Sequence, residues 1–380
     1  MTSLHLKTPL EKEAPRSDTV ENVQALRGIA ALMVVWAHIK FPLDKLCPGA
    51  DRYPLVQTGH GAMGVDLFFI ISGYVICLAA SKRHHHPYEF LLARIARVSP
   101  LYLVYVLLFL LAKELFHGAS DSLRSIWNGI FYLPLFDWKE YSQPPGGVGW
   151  SLSFELWFYL VFALLLHLGT PKKVAFFLPI IFSVGAVLMI PYHGDWYFPR
   201  FMFHPFVLEF AFGCVVFNTQ RLVTRNLSWF LLAAGILYMI AFSRHAGLLP
   251  LHPLLLSDRL DLAWQRVLLW GFPSALIVAG LVGLERNDIY TLPQGLVWVG
   301  GISYSLYLSH QLTMEIVADV GQRIGLHSLA VIVLLVPVLC VFGAWLCWKC
   351  IEKPLTVQAQ RWAKKLSQTA RPTEATPVQA

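Results

Sequence analysis

Long apolar segments separated by short polar connections dominate the chain from residue 22 to about 350. A helix of about 20 apolar residues crosses roughly 30 Å of hydrocarbon and satisfies its own backbone hydrogen bonds there. The pattern therefore predicts an all-α, polytopic transmembrane bundle of about ten spans. These are expected at about 22–39, 62–80, 91–115, 148–168, 174–190, 201–217, 228–243, 264–284, 294–316 and 328–350.

The remaining stretches are polar or too short to cross. Residues 1–21 are polar and mixed in charge, and residues 356–380 are rich in Lys, Thr, Pro and Gln, so we expect a polar N-terminal tail and a disordered C-terminal tail around one domain at 22–355. The first apolar stretch contains Arg27 and has no small-residue cleavage pattern, which indicates a retained span. The connection at 117–147 is expected to lie at the membrane interface without crossing.

Composition and charge narrow the class further. The 380 residues are 56% hydrophobic and 14% charged, too few charges to cover a soluble surface. Of the 30 Lys and Arg residues, 18 fall on the connections on the same side as the termini and 11 on those of the opposite side. Positively charged connections stay in the cytoplasm, so this bias predicts that both termini are cytoplasmic. The net charge of +7 is thus explained by a membrane face, and no nucleic-acid partner is expected.

Arg27 and His38 are the first polar side chains inside a predicted span. Eleven residues turn a helix by about three full circles and raise it about 16 Å, so both side chains project from one stripe. Imidazole is the general base suited to neutral pH. The alternative is a packed polar pair that holds helices together.

Arg94 and Arg97 lie one helical turn apart at the start of the third predicted span. Two guanidinium groups on one face suit phosphate oxygens. The alternative is that they anchor the span at the positively charged membrane face.

A second polar group is expected in the outer half of the bundle. Asp66, Glu155 and His310 fall at depths similar to that of His38 if the spans alternate in direction, whereas the three arginines lie nearer the cytoplasm. His204 and Glu209 are further candidates for this outer layer. The runs His84-His85-His86 and Cys347-x-x-Cys350 lack accompanying ligands, and we predict no metal site.

Together these residues resemble the acyltransferase 3 family of polytopic membrane acyltransferases. The resemblance rests on six pieces in the family's order: Gln24-Ala-Leu-Arg27 ending at His38, Gly64-Val-Asp-Leu-Phe-Phe-Ile-Ile-Ser-Gly73, Arg94-x-x-Arg97, Trp150-Ser-Leu-Ser-Phe-Glu155, Ile302-Ser-Tyr304 through His310, and Ile351-Glu-Lys-Pro354.

The resemblance implies transfer of an acyl group, usually acetyl, from cytoplasmic acyl-CoA to a hydroxyl of a cell-surface or exported glycan, in the plasma (inner) membrane. His38 would be catalytic with Arg27 and Glu155, and Arg94 and Arg97 would contact acyl-CoA. Asp66, Tyr304 and His310 would form a substrate or structural polar layer. Acetyl-CoA would be a co-substrate, with no tightly bound cofactor, and membrane lipid and polysaccharide assembly proteins are the other expected partners.

Two other interpretations stay open from the residues. The buried His, Asp and Glu could form the proton or substrate path of a transporter. The chain could also be an export partner in a polysaccharide assembly complex. Within the acyltransferase hypothesis, direct transfer with His38 as base and a covalent acyl-enzyme are both compatible with the sequence.

Overall fold

The computed structural model describes residues 20–50, 53, 59–82, 86–117, 121–138, 140–246 and 260–369, and this part of the chain is built from helices. Within it, one isolated β-bridge joins Trp138 and Trp196. The α-helices are α1 (Glu21–His38), α2 (Lys40–Leu46), α3 (Met63–Lys82), α4 (Pro87–His117), α5 (Leu123–Phe131), α6 (Gly149–Leu166), α7 (Pro171–Leu188), α8 (Tyr197–Met202), α9 (Val207–Thr219), α10 (Arg225–Ala246), α11 (Leu260–Arg266), α12 (Phe272–Arg286), α13 (Gln294–Gly301), α14 (Ser303–Arg323), α15 (Leu329–Cys347) and α16 (Lys353–Thr369).

Nine helical segments among the described residues are long and apolar enough to cross a membrane. They coincide with nine of the ten predicted spans. The predicted span at 294–316 forms α13 and α14, which are interrupted after Gly300 and Gly301, and α14 carries serines, His310 and Gln311 on a much less apolar helix. The total of ten spans and the side on which the termini lie stay predictions.

Helix α1 and helix α13 make the closest approach in the bundle. A Cβ atom on Gly300 would lie 1.8 Å from the backbone oxygen of Gln24, and one on Gly28 would lie 2.5 Å from that of Leu296. Glycine at these positions lets the two backbones meet. Further along, Gly321 of α14 lies against Leu46, so α13 and α14 together run beside α1 and α2.

We call the end of the bundle where α1 begins the lower end, and the opposite end the upper end.

Two π-helical turns interrupt long helices, each just before a proline. The turn at Val267–Gly271 precedes Pro273, and the turn at Trp348–Glu352 precedes Pro354. Proline lacks an N–H and its ring collides with the carbonyl four residues earlier, so a wider turn accommodates it. The first of these turns directly follows Arg266, which lies in the interior of the bundle.

The C-terminal tail corrects one prediction. Residues 356–380 were expected to be disordered, but α16 continues the last apolar helix to Thr369, and residues 370–380 lie outside the described part. One side of α16, including Leu355 and Ala359, borders Leu92 and Ile95 of α4. Apolar contact with α4 and the high helix propensity of Ala, Leu, Lys, Arg and Gln outweigh the polar composition. In the described part of the connection at 117–147, the helix between α4 and α6 is the nine-residue α5, which is too short to cross.

Candidate active site

A cavity in the middle of the bundle collects three arginines from two helices. Arg27 comes from α1, and Arg94 and Arg97 come from α4, where their spacing of three residues places both on the cavity wall. We call this the arginine cavity. Its other polar lining groups are Ser72, Ser151, Glu155, Tyr159, Ser303, Tyr304 and Tyr307.

The three guanidinium groups make no hydrogen bond or ion pair with any described residue. The Nε atom of Arg94 is buried without a hydrogen-bond partner there, and its guanidinium lies 5.5 Å from the ring centre of Phe90. Glu155 is the one carboxylate on the described wall of this cavity. The cavity therefore carries an excess of positive charge and suits an anionic ligand.

Glu155 lies with the arginines, which corrects the expectation that it shares a layer with His38. Its Oε1 atom accepts a hydrogen bond from the Ser72 hydroxyl at 3.0 Å and another from the Tyr159 hydroxyl. Counted from the start of α6, Glu155 is about 9 Å into the bundle. The predicted start of this span, residue 148, agrees with the start of α6 to within one residue, so the depth was predicted well; the sequence does not show which cavity the side chain enters.

Tyr304 also belongs to the arginine cavity, where its hydroxyl donates to the backbone oxygen of Val98 at 2.6 Å. The neighbouring Ser305 hydroxyl donates to Glu352 at 2.6 Å, which ties α14 to the π-helical turn before α16. Glu352 occurs in the Ile351-Glu-Lys-Pro354 motif, for which the sequence predicted no role in the site. Ser72 and Tyr159 were not predicted as site residues, although Tyr159 lies one helical turn from Glu155.

A second cavity, which we call the histidine cavity, lies on the upper side of the first. His38 lines it together with Gln143, Trp150, Arg266, Tyr307 and Gln311, and with smaller apolar residues. Val65 and Tyr307 border both cavities, so a single layer of side chains separates them. Arg27 and His38 therefore do not meet; they project into adjoining compartments from one stripe of α1.

The hydrogen bond of His38 defines its neutral tautomer. Nδ1 lies 2.8 Å from the backbone oxygen of Val34, and because a carbonyl only accepts, Nδ1 carries the proton. Nε2 then keeps its lone pair and can act as a base. The His310 ring lies 4.9 Å away, centre to centre, and its Nδ1 makes the same type of bond to Leu306. His310 is buried and borders neither cavity described above.

Asp66 is held by a cation that the sequence did not identify. Arg266 donates from Nε to Asp66 at 2.9 Å and from Nη2 at 2.8 Å, and Nη2 also donates to the Ala62 carbonyl at 3.1 Å. Both side chains are buried. The Arg266 guanidinium also lies 4.9 Å from the ring centre of Trp270 and 5.0 Å from that of Phe206. Arg266 lies two residues inside the predicted span at 264–284, and the sequence predicted no role for it.

Glu209 lies near this ion pair, whereas His204 packs among aromatic rings. Both Glu209 carboxylate oxygens are buried with no hydrogen-bond partner among the described residues, and Oε1 would be 2.8 Å from a Cβ on Gly271. The His204 ring lies 4.6 Å from that of Phe206. Of the candidate metal ligands, His84 and His85 lie outside the described residues, and His86 contacts the His167 ring.

The connection between α5 and α6 forms part of the wall of the histidine cavity and is fixed by a buried carboxylate. Asp137 accepts hydrogen bonds from the Asn128 side chain at 2.9 Å and from the Ser142 backbone N–H at 2.7 Å. Burial raises the pKa of Asp137, and these two hydrogen bonds and the charge of Arg124 oppose the shift. Gln143 follows directly, so its position depends on this network.

Comparisons with known proteins show the family of the chain. A family model described as an acyltransferase domain matches residues 20–349. The chain is 29% identical to the exopolysaccharide production protein ExoZ of Rhizobium meliloti (strain 1021) over 285 residues, covering 72% of this chain and 84% of that protein. It is 25% identical to nodulation protein 10 of Rhizobium leguminosarum bv. viciae over 382 residues, covering 91% and 96%. A protein of Acidianus two-tailed virus named as an acetyltransferase is 25% identical over 313 residues, covering 80% and 86%. No solved structure matches.

Proposed function

This chain belongs to the acyltransferase 3 family, and from that premise we propose that it is an integral membrane O-acetyltransferase. The donor is acetyl-CoA and the acceptor is a hydroxyl of a cell-surface or exported glycan. The name of the relative ExoZ, an exopolysaccharide production protein, supports the glycan part of this proposal. The enzyme works in the plasma membrane with both termini in the cytoplasm.

One observation carries the proposal: a cavity in which three guanidinium groups make no hydrogen bond or ion pair with a described residue adjoins a cavity lined by a histidine whose Nδ1 carries a proton. Acetyl-CoA has phosphates at one end and a thioester at the end of an extended arm. Arg94, Arg97 and Arg27 supply charge-assisted hydrogen bonds to anionic oxygens of the donor. The arm then reaches past Tyr307 toward His38, a distance of about 16 Å along α1.

His38 acts as the general base in direct transfer. Its Nε2 accepts the proton of the acceptor hydroxyl while the oxygen attacks the thioester carbonyl. The C–S bond breaks, and the departing thiolate takes the proton from the imidazolium. The products are the acetyl ester and CoA with a free thiol.

The transporter interpretation receives less support from the same geometry. A proton path needs carboxylates and histidines that follow one another, whereas Asp66 is neutralised by Arg266 and Glu155 is hydrogen-bonded in the other cavity. Transport also gives no role to three arginines that line one cavity and make no hydrogen bond or ion pair with a described residue.

The test is transfer of labelled acetyl from acetyl-CoA by the purified, reconstituted protein to a glycan fraction from its own cell. Labelled glycan and stoichiometric free CoA are expected. Arg94→Ala and Arg97→Ala should each raise the KM for acetyl-CoA by roughly 10-fold or more, since a charge-assisted hydrogen bond contributes about 1.5–3 kcal/mol. Normal transfer by the double variant, with unchanged donor affinity, would return both residues to the role of anchors.

A further inference from the structure

The lining of the histidine cavity differs in charge from that of the arginine cavity. Arg266 is the one cation on the described wall of the histidine cavity, and it donates from Nε and Nη2 to Asp66. A second carboxylate, that of Glu209, lies close to this pair. When His38 is ready to act as a base, it carries its proton on Nδ1 and is neutral. In that state the described wall of the cavity offers no uncompensated positive charge, and an anionic group placed there would be desolvated without a counter-ion.

Two amide side chains in the same cavity have hydrogen-bonding capacity to spare. The Gln143 amide makes no hydrogen bond with a described residue, and the Gln311 amide uses only its oxygen, toward the Tyr105 hydroxyl at 3.4 Å. An amide both donates and accepts, so it can bind hydroxyl groups in either sense. Trp150 also lines this wall with a largely buried indole, and the Arg266 guanidinium lies 5.9 Å from its ring centre.

The segment that carries Gln143 is rigid. Ser125 donates to the Gln143 backbone oxygen, and the Tyr105 hydroxyl donates to the Gly146 backbone oxygen at 3.0 Å. Gly146 and Gly147 have φ values of +80° and +70°, a conformation that glycine adopts without strain. A Cβ on Gly146 would lie 2.7 Å from the Tyr105 ring, so the turn packs closely on α4. The backbone of Gln143 is thus fixed at the wall of the cavity.

We propose that the histidine cavity is the acceptor subsite and that it takes an uncharged sugar residue, whose hydroxyls bind Gln143 and Gln311 and whose apolar face stacks on Trp150. Uronic acids and phosphorylated sugars are disfavoured, because the described wall of this cavity provides no cation free to pair with them. The proposal rests on the acetyltransferase function above and specifies its acceptor.

The first test identifies the sugar that becomes acetylated. Reconstituted wild-type protein receives labelled acetyl-CoA and the glycan fraction of its own cell. The glycosidic bonds of the labelled product are then cleaved under conditions that keep the acetyl ester, and the labelled sugar is identified by mass spectrometry. Label on a neutral hexose or deoxyhexose is the expected result. Label on a uronic acid or a phosphate-bearing residue overturns the assignment, whereas absence of any transfer refutes the acetyltransferase function itself.

The second test separates the two cavities by kinetics. Gln143→Ala and Gln311→Ala should each raise the acceptor KM by about 5-fold or more while the KM for acetyl-CoA stays at the wild-type value. Arg97→Ala is the matched control: it should raise the KM for acetyl-CoA and leave the acceptor KM at the wild-type value. If both glutamine variants leave the acceptor KM unchanged, or raise only the donor KM, the histidine cavity is not the acceptor subsite.

Discussion

The side chain of His38 combines a fixed proton at Nδ1 with a free lone pair at Nε2, and this combination can be tested separately from packing. An Asn side chain at this position keeps a donor near the Val34 carbonyl but provides no base. We expect His38→Asn to retain the melting temperature of the wild type and to lose transfer by about 10²–10⁴-fold. The measurement is single-turnover acetyl transfer beside a thermal melt in the same detergent.

His310 is the matched control, because it makes the same backbone hydrogen bond but borders neither described cavity. His310→Asn should keep measurable transfer. If His38→Asn is active and His310→Asn is not, the base has been assigned to the wrong imidazole. If both variants are active, neither ring is the base.

The Asp66–Arg266 pair makes a prediction about stability. Removal of one partner leaves a buried charge uncompensated, so Asp66→Asn or Arg266→Gln should each destabilise the fold by about 3–5 kcal/mol. The double variant should cost less than the sum of the two, because the second change removes the charge that the first left unpaired. Melting temperatures of the four proteins measure this coupling. Strict additivity would show that the two charges do not depend on each other.

At the scale of helices, the contact between α1 and α13 depends on the absence of a side chain at Gly300. Gly300→Ala should separate the two helices and destabilise the protein by about 1–3 kcal/mol, as overpacking does in well-packed interiors. Gly295 lies on the same helix with nothing within 4 Å of a Cβ. Gly295→Ala should therefore be neutral or slightly stabilising in the same thermal melt, and equal effects at both positions would contradict the close approach.

The helices also show which features a sequence can predict. The length of the apolar segments placed nine spans correctly, because a helix that crosses the hydrocarbon must be apolar over about 20 residues. The spacing of Arg94 and Arg97 predicted a shared face, and both line one cavity. Glu155 was assigned to the wrong layer because depth along a helix does not show toward which neighbouring helices a side chain points. Arg266 was missed because its partner Asp66 is 200 residues away, and no local pattern reports such a pairing.

For the molecule as a whole, the order of the two cavities predicts that donor and acceptor enter from opposite ends. The arginine cavity lies toward the lower end and the histidine cavity toward the upper end. Single cysteines replacing Lys172, at the lower end, should react with an impermeant reagent only from the cytoplasm. Cysteines replacing Glu140, at the upper end, should react only from outside. Labelling of both positions from one side would contradict the proposed membrane orientation and opposed entry.

The ion pair between Asp66 and Arg266 also has a consequence for biosynthesis. The two residues are 200 positions apart, on the second and the eighth of the nine apolar helices. At a synthesis rate of about 5–20 residues per second, Asp66 emerges roughly 10–40 s before its partner exists. During that interval the second helix carries a carboxylate without its cation. The central part of the bundle therefore closes late, and a nascent chain that stops before Arg266 has an unneutralised acid for cellular quality control to recognise.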